Sequence, residues 1–546
     1  MGELLSTPRV LGDRPFAHVG RPSAVASSPD GEYIAVGGDL GPAQWPGHDV
    51  QARSRPHCGW IPIGIYRSSD LACLHAITTH WDVGSIAFHP DLPLVAIGTG
   101  SYDGGYAYEG ELLLLDLESG RTVSVLDQRR QVHRVAWHDA QRLELVLAPP
   151  SDDEVDAHGE HSFAMVVERD DWSTPQPGMI RVGELSHTVL DGEFPADRDA
   201  AQAAIESLCA DHGLPWRPRS SAWAVHPLAD GRILAALEGA ALECWSPSGT
   251  ETVWTIAVDG IGCQIAVNPD GNTVLSNVFC GSPPARYSSM SLIREVESAD
   301  GTTRLSQDAG FPAVIVTRTD GWSALRDVDH DRRKSHATSL MAPDGRIAAT
   351  VDLGTYDLFN HYFDIRYAPD LLFLQGPTDN PWRNKWVVAV DPPAGDEQPT
   401  IRRLFPLAWE EKRGAHLFGG AGVYLDDQVG PSIIHTGAVH DGAGLLRGNS
   451  FVVRRAYPEG KLQWVFAADN TATAIDRDGD TVYVAYNTGE LVALDAHTGA
   501  VLARQPITVA AQTVVPLSLA VIGPSRIVIG TLDGRVLDYS FYPPST

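Results

Sequence analysis

Seven ionisable residues stand just ahead of short apolar runs: Arg21, His80, Asp82, His133, Arg219, His336 and His416. If those runs are inner strands around a common axis, their entry segments converge on one mouth. Imidazole and carboxylate groups gathered there could bind a divalent metal or move protons as general acids and bases. The same residues also suit a water-filled polar funnel. A second group runs from Asp152 to His161, where Asp156, His158 and His161 offer oxygen and nitrogen ligands at a spacing that a metal could use. A loop so rich in charge ordinarily stays solvated. His89, His138 and His226 occupy equivalent places before a turn, where bonding to turn backbone is the expected role.

No established catalytic signature accompanies these residues. The chain has no GxSxG elbow, no HExxH, no phosphate-binding GxxxxGK[ST] and no GxGxxG after a strand. Gly419-Gly420-Ala421-Gly422 lacks a following helix and reads as a turn or a bulged strand. The six cysteines, at 58, 73, 209, 244, 263 and 280, lie far apart without a CxxC pair. They read as free and mostly buried thiols, with Cys58 in a probable exposed loop. No resident cofactor and no metal is expected, and enzyme activity is left open, with the balance against it.

Composition narrows the partners. The 546 residues carry a formal net charge of -28, with 43% hydrophobic and 20% charged content. Such a field repels nucleic-acid phosphates and anionic membranes, so neither is an expected partner. The first residues lack a basic stretch followed by an apolar one, and no run of about 18 apolar residues occurs. A cytoplasmic location is therefore expected.

The elements that must position these side chains come from a recurring phrase: a short apolar strand, a turn with Pro or Asp-Gly, and a second apolar strand. It occurs at Ala24–Val36, Ser85–Ile97, Ala222–Ala236 and Gln264–Gly271, and again at Ser339–Gly345. Pro and Asp-Gly force tight reversals, and strands apolar on both faces fit sheets stacked face to face. Several copies extend to a third and fourth strand, as in Glu111–Leu126, where Asp116 precedes a Ser119-Gly120 turn. Leu491–Ala503 repeats that arrangement with Asp495 and Thr498-Gly499.

On these residues the chain resembles known β-propellers. Residues 83–127 look like a WD-repeat blade with Leu115-Asp116 in place of Trp-Asp, and residues 470–505 look like a quinoprotein-like (PQQ-like) repeat. The resemblance implies an all-β chain forming a single β-propeller domain over 1–546, of seven or eight four-stranded blades. Candidate blades lie near 24–80, 83–130, 132–190, 221–260, 262–310, 337–405, 414–467, 470–507 and 513–543. An N-terminal strand near Arg9 to Val19 would complete the last. Residues 151–219 read as an insertion with an acidic loop and a short helix, whose Ala201, Ala204, Ile205, Leu208 and Cys209 share one face. Further long loops fall at 40–60, 354–385 and 406–450.

Quinone dehydrogenases of this fold resemble secreted proteins with a vicinal cysteine pair and a recurrent tryptophan position. This chain has no such pair, and Trp81, Trp137, Trp223, Trp254 and Trp464 show no common blade position in the sequence, which argues against a quinone cofactor. The function expected is a non-catalytic cytoplasmic scaffold that binds a protein partner through one face and its long loops. The alternative is an enzyme at the central channel mouth, a metal-assisted lyase or hydrolase or a biosynthetic tailoring enzyme.

Overall fold

The computed structural model describes residues 5–41, 61–102, 106–151, 153, 162–190, 194–216, 218–280, 290–328, 337–354, 364–377, 384–395, 397–412, 415–440, 449–523 and 526–540. Two compact units emerge. The smaller holds the strands from Arg21 to Leu190 and the Arg198–Asp211 helix; the larger holds Arg9–Leu11 and the strands from Ala224 onward.

In the smaller unit, three four-stranded antiparallel sheets follow one another along the chain, beginning at Arg21–Ser27, Val83–Phe88 and Val132–Trp137. The Tyr108–Asp116 strand shows why they stack. Leu112 and Leu114 pack with Leu143 and Leu145 of the following sheet, whereas Leu113 and Leu115 pack with Ile63 and Ile65 of the preceding one. Successive side chains leave a strand on opposite faces, so an unbroken apolar run serves two cores at once. The Arg198–Asp211 helix is capped by the Asp197 carboxylate, which accepts from the Ala200 N–H at 2.9 Å. It buries Ala201, Ile205 and Cys209, and Ile205 and Cys209 join a core with Phe16 and Tyr66 of the same unit.

The larger unit repeats the pattern. Its final sheet is ordered Arg9–Leu11, Val536–Ser540, Arg526–Thr531, Pro516–Ile522, so the N-terminal strand supplies the fourth strand. That strand is shorter than the sequence suggested: Ala17–Val19 is a turn of 3-10 helix in the smaller unit. The segments 221–260 and 262–310 merge into one six-stranded sheet, because Ile233–Trp245 and Thr252–Val267 are each long enough to run through both. The expected 337–405 blade is instead divided. Ala313–Thr317, Ser323–Asp327, Thr338–Met341 and Ile347–Val351 form one sheet, and Leu371–Gln375, Trp386–Asp391 and Thr400–Pro406 form another. The hairpin turn at Arg318–Trp322 uses Asp320-Gly321 without the preceding proline that marks the other turns, which hid it in the sequence. Gly419–Gly422 does lie in a bulged strand, His416–Asp427, whose register shifts between Gly419 and Gly422.

One contact repeats between adjacent sheets. The Asp495 Oδ1 accepts from the Thr498 N–H and hydroxyl, each at 2.7 Å, and Asp116 Oδ1 accepts from Ser119 in the same way at 2.7 and 2.8 Å. The glycine that follows adopts a left-handed conformation in each, with φ of 72° at Gly499 and 69° at Gly120. A ring from the outer strand of the preceding sheet lies flat on that glycine: a Cβ there would meet Trp464 at 2.8 Å and His75 at 2.6 Å. Trp464 Nε1 donates to the Ala496 carbonyl at 2.9 Å, and His75 Nε2 lies 2.7 Å from the Leu117 carbonyl, the equivalent atom. Trp254 packs on Gly301 within the six-stranded sheet, without the carbonyl bond: its Nε1 has no hydrogen-bond partner among the described residues. The sequence reading that the tryptophans share no blade position is therefore corrected: Trp254 and Trp464 do. A histidine fills that place in the smaller unit, so a search for tryptophan alone does not reveal it.

Candidate functional site

Within the larger unit the first strands of neighbouring sheets pack side by side. Ala224–Pro227 lies against both Thr252–Val267 and Pro516–Ile522, and Ala472–Asp478 lies between Pro516–Ile522 and His416–Asp427. These strands enclose a cavity of about 400 Å³. An element outside the four-strand repeat enters its wall. Ile365–Arg366 runs parallel to His416–Asp427, with Ile365 opposite Gly422 and Arg366 opposite Val423. Gly422 makes room: a Cβ there would meet the Ile365 side chain at 2.6 Å. The Gly422 N–H donates to the Asp364 carbonyl at 2.8 Å.

The short strand delivers two side chains to one buried carboxylate. Arg366 Nη1 donates to the Leu519 carbonyl at 2.7 Å and lies 3.3 Å from Asp476 Oδ2. The Tyr367 hydroxyl donates to Asp476 Oδ1 at 3.0 Å. The N–H groups of Val521 and Arg477 complete the set, each at 2.9 Å. The Asp476 side chain is 1% exposed, so these four donors replace its water. Tyr367 holds a left-handed φ of 65°, a conformation that costs a tyrosine on the order of 1 kcal/mol or more. Burial, reinforced by the Asp476 charge, pushes its phenol up to about 12. His226 lines the same cavity, and burial together with the Arg366 charge pushes its imidazole down to about 4.

The residues singled out in the sequence fall in different places. Arg198, from the first turn of the inserted helix, lies 3.6 Å from Asp39 and 3.7 Å from Asp82. Burial raises the Asp82 carboxyl above its ordinary value, the Asp39 charge adds to this, and Arg198 opposes it. Arg21 stands opposite Asp39 in strand register. His80 packs edge-on against Trp81, His133 stands 6.5 Å from the Phe194 ring, and the Arg219 carbonyl accepts from Arg14 Nη2 at 2.6 Å. His416 opens a strand of the larger unit, opposite His440. His336, Asp156, His158 and His161 lie outside the described residues. Among the described residues, no three His, Cys, Asp or Glu side chains are grouped closely enough to hold a metal ion.

His89 behaves as expected, accepting from the Asp91 and Leu92 N–H groups at 3.0 Å. His138 instead pairs with Glu144 at 2.6 Å, and His226 faces the cavity. Asp476, Arg366 and Tyr367 were not singled out in the sequence. The one available signal was a carboxylate in the apolar run Ala472–Asp478.

Acid should weaken the larger unit through its buried imidazoles. His435 is 0% exposed, and burial with the nearby Arg455 charge pushes it down to about 3. The unfolded chain binds the proton near pH 6.5, whereas the folded chain holds His435 and His226 neutral until far lower. Their contribution is thus complete above about pH 6.5 and is lost as pH falls toward 4 and 3. Denaturant unfolding at pH 7 and pH 5 should show this loss, and His435→Gln should flatten the difference. An unchanged pH dependence in that variant would contradict the assignment.

Comparison with known proteins agrees with the repeat. The family model "WD domain, G-beta repeat" matches residues 71–105. That segment is WD-like. Solved structures that resemble the chain include BamB from Moraxella catarrhalis, with 14% identity, a TM-score of 0.37, and coverage of 59% of this chain and 98% of that one. The C-terminal WD40 domain of Sif2 resembles it at 12% identity and a TM-score of 0.37, covering 59% of this chain and 96% of that domain. No curated protein sequence matches the chain. Among the described residues, no helix is long and apolar enough to cross a membrane.

Proposed function

We propose that this chain is a non-catalytic β-propeller scaffold that binds a protein partner through one face and its long connecting segments. In this reading the larger unit closes as seven blades, the six-stranded sheet counting as two and the sheet of Leu371–Gln375, Trp386–Asp391 and Thr400–Pro406 holding three strands. The observation that carries the non-catalytic reading is the state of Asp476. The carboxylate on the cavity wall accepts from four donors of the protein itself, so both of its oxygens are already engaged. WD-like propellers generally serve protein interaction, and ordered loops on a rigid sheet scaffold are where such binding is built. The free thiols of Cys73, Cys209, Cys244, Cys263 and Cys280 fit a reducing, cytoplasmic compartment.

The enzyme alternative draws on one observation, the raised Asp82 carboxyl beside Asp39 and Arg198 in the smaller unit, which suits a general acid. Affinity capture of the tagged full chain from native lysate, followed by cross-linking mass spectrometry, tests the scaffold reading. A stoichiometric protein partner is expected, with cross-links on the long loops. Recovery of no stoichiometric partner would count against it.

A further inference from the structure

A second cavity, of about 380 Å³, opens within the larger unit at one end of the four-stranded sheet of residues 472–506. Its volume lies in the range of small-molecule sites. Strand geometry decides what lines it. Tyr486 and Glu490 stand opposite each other across a tight turn, and Arg504 stands opposite Val492, two residues beyond Glu490. Residues two apart on a strand share a face, so Tyr486, Glu490 and Arg504 leave the sheet on one side. Asn470 and Thr488 also line the cavity. The turn that carries Thr488 is held twice. The Asn487 N–H donates to the Thr471 carbonyl at 3.0 Å, and the Ile507 N–H donates to the Gly489 carbonyl at 2.7 Å.

Tyr486 is the residue that packing alone does not explain. It is 2% exposed and shares a core with Trp464 and Val492, yet its hydroxyl has no hydrogen-bond partner among the described residues. A buried hydroxyl without a partner costs stability that a phenylalanine would not. Burial holds the phenol above its ordinary value, so it stays a neutral group that both donates and accepts. Arg504 Nε lies 3.4 Å from Glu490 Oε1, which offsets the two charges. Asp469 adds a second carboxylate to the lining, so no surplus positive charge is left for an anion. The wall thus combines a pure donor in Arg504, pure acceptors in the two carboxylates, and groups that do both in Tyr486, Asn470 and Thr488. A neutral molecule rich in hydroxyls answers all three, because each hydroxyl donates and accepts.

We propose that this cavity binds a neutral saccharide of one or two residues, with Tyr486 and Arg504 bonding its hydroxyls. The site is independent of the protein partner, so failure to capture a partner leaves it untouched. Saturation-transfer NMR of the full chain against glucose, galactose, mannose, maltose, lactose and trehalose tests it, followed by calorimetry of the best binder. At least one sugar should bind saturably at or below about 10 mM. Glucuronate and glucosamine, the charged relatives of glucose, should bind no tighter than that sugar. The methyl glycoside of the best binder separates two sources: equal binding supports the terminal residue of a glycan, and lost binding supports a free sugar. Tyr486→Phe removes only the hydroxyl and should weaken the sugar on the order of tenfold, while the unfolding temperature stays at or above that of the parent. Arg504→Gln should weaken it as well. Absence of saturable binding across the panel, tighter binding of a charged relative, unchanged affinity in either variant, or a lowered unfolding temperature in Tyr486→Phe would overturn the proposal.

Discussion

Trp464→Ala should lower the unfolding free energy by about 3–5 kcal/mol, the cost of emptying a large buried aromatic site. Trp464 is 9% exposed and packs with Val423, Ile434, Val452 and Val492, so its removal opens the core between two adjacent sheets. It also lies flat on Gly499 and ties the Ala496 carbonyl. Trp464→Phe keeps most of the packing and loses only the indole donor, for which about 1 kcal/mol is expected. Chemical denaturation of the three proteins, monitored by far-ultraviolet circular dichroism, reads both values. A loss below about 1 kcal/mol for Trp464→Ala would show that the ring is not a structural tie between the sheets. The comparison matters because His75 makes the same contact in the smaller unit, and Trp254 makes its ring-on-glycine part in the larger one.

Asp476→Asn is the second large effect. It removes the charge that holds Arg366, and the single amide oxygen that remains cannot serve four donors. Breaking a buried pair from one side costs about 3–5 kcal/mol, because the partner stays behind uncompensated. The local consequence is specific: the Asp364–Ala368 segment loses both of its side-chain anchors to the Ala472–Asp478 strand. Trypsin should then cut at Arg366 in the variant and not in the parent. The double variant Arg366→Gln, Asp476→Asn should recover part of the lost stability, since no isolated charge remains. If the single variant resists trypsin like the parent, or if the second substitution deepens the loss, Asp476 is not the anchor of this segment.

Much of the repeat could be read from local chemistry. Asp116 with Ser119-Gly120, and Asp495 with Thr498-Gly499, announce turns because the carboxylate bonds backbone three residues on and glycine alone accepts the left-handed position cheaply. Unbroken apolar runs such as Leu112–Leu115 announce strands buried on both faces. The Arg198–Asp211 helix follows from its Asp197 cap and its spaced apolar face. Where turn chemistry was weaker, at Asp320-Gly321, or where strands ran long, at Ile233–Trp245, the boundaries between sheets went astray.

The candidate site was far less legible. The histidines ahead of the apolar runs were grouped by sequence position, yet His416 belongs to one compact unit and Asp82, His80 and His133 to the other. Arg366 and Asp476 are 110 residues apart and share no motif.

By itself, the sequence determined the strand-and-turn grammar, the helix in the insertion and the apolar two-faced sheets, because each rests on interactions within a few residues. Only the tertiary structure decided which outer-strand ring lies on which glycine, and that Ile365–Arg366 joins the edge of His416–Asp427. It alone placed Arg318, His226 and Asp476 around one cavity. Those choices depend on strands brought together across tens to hundreds of residues, and no local pattern encodes a neighbour that distant.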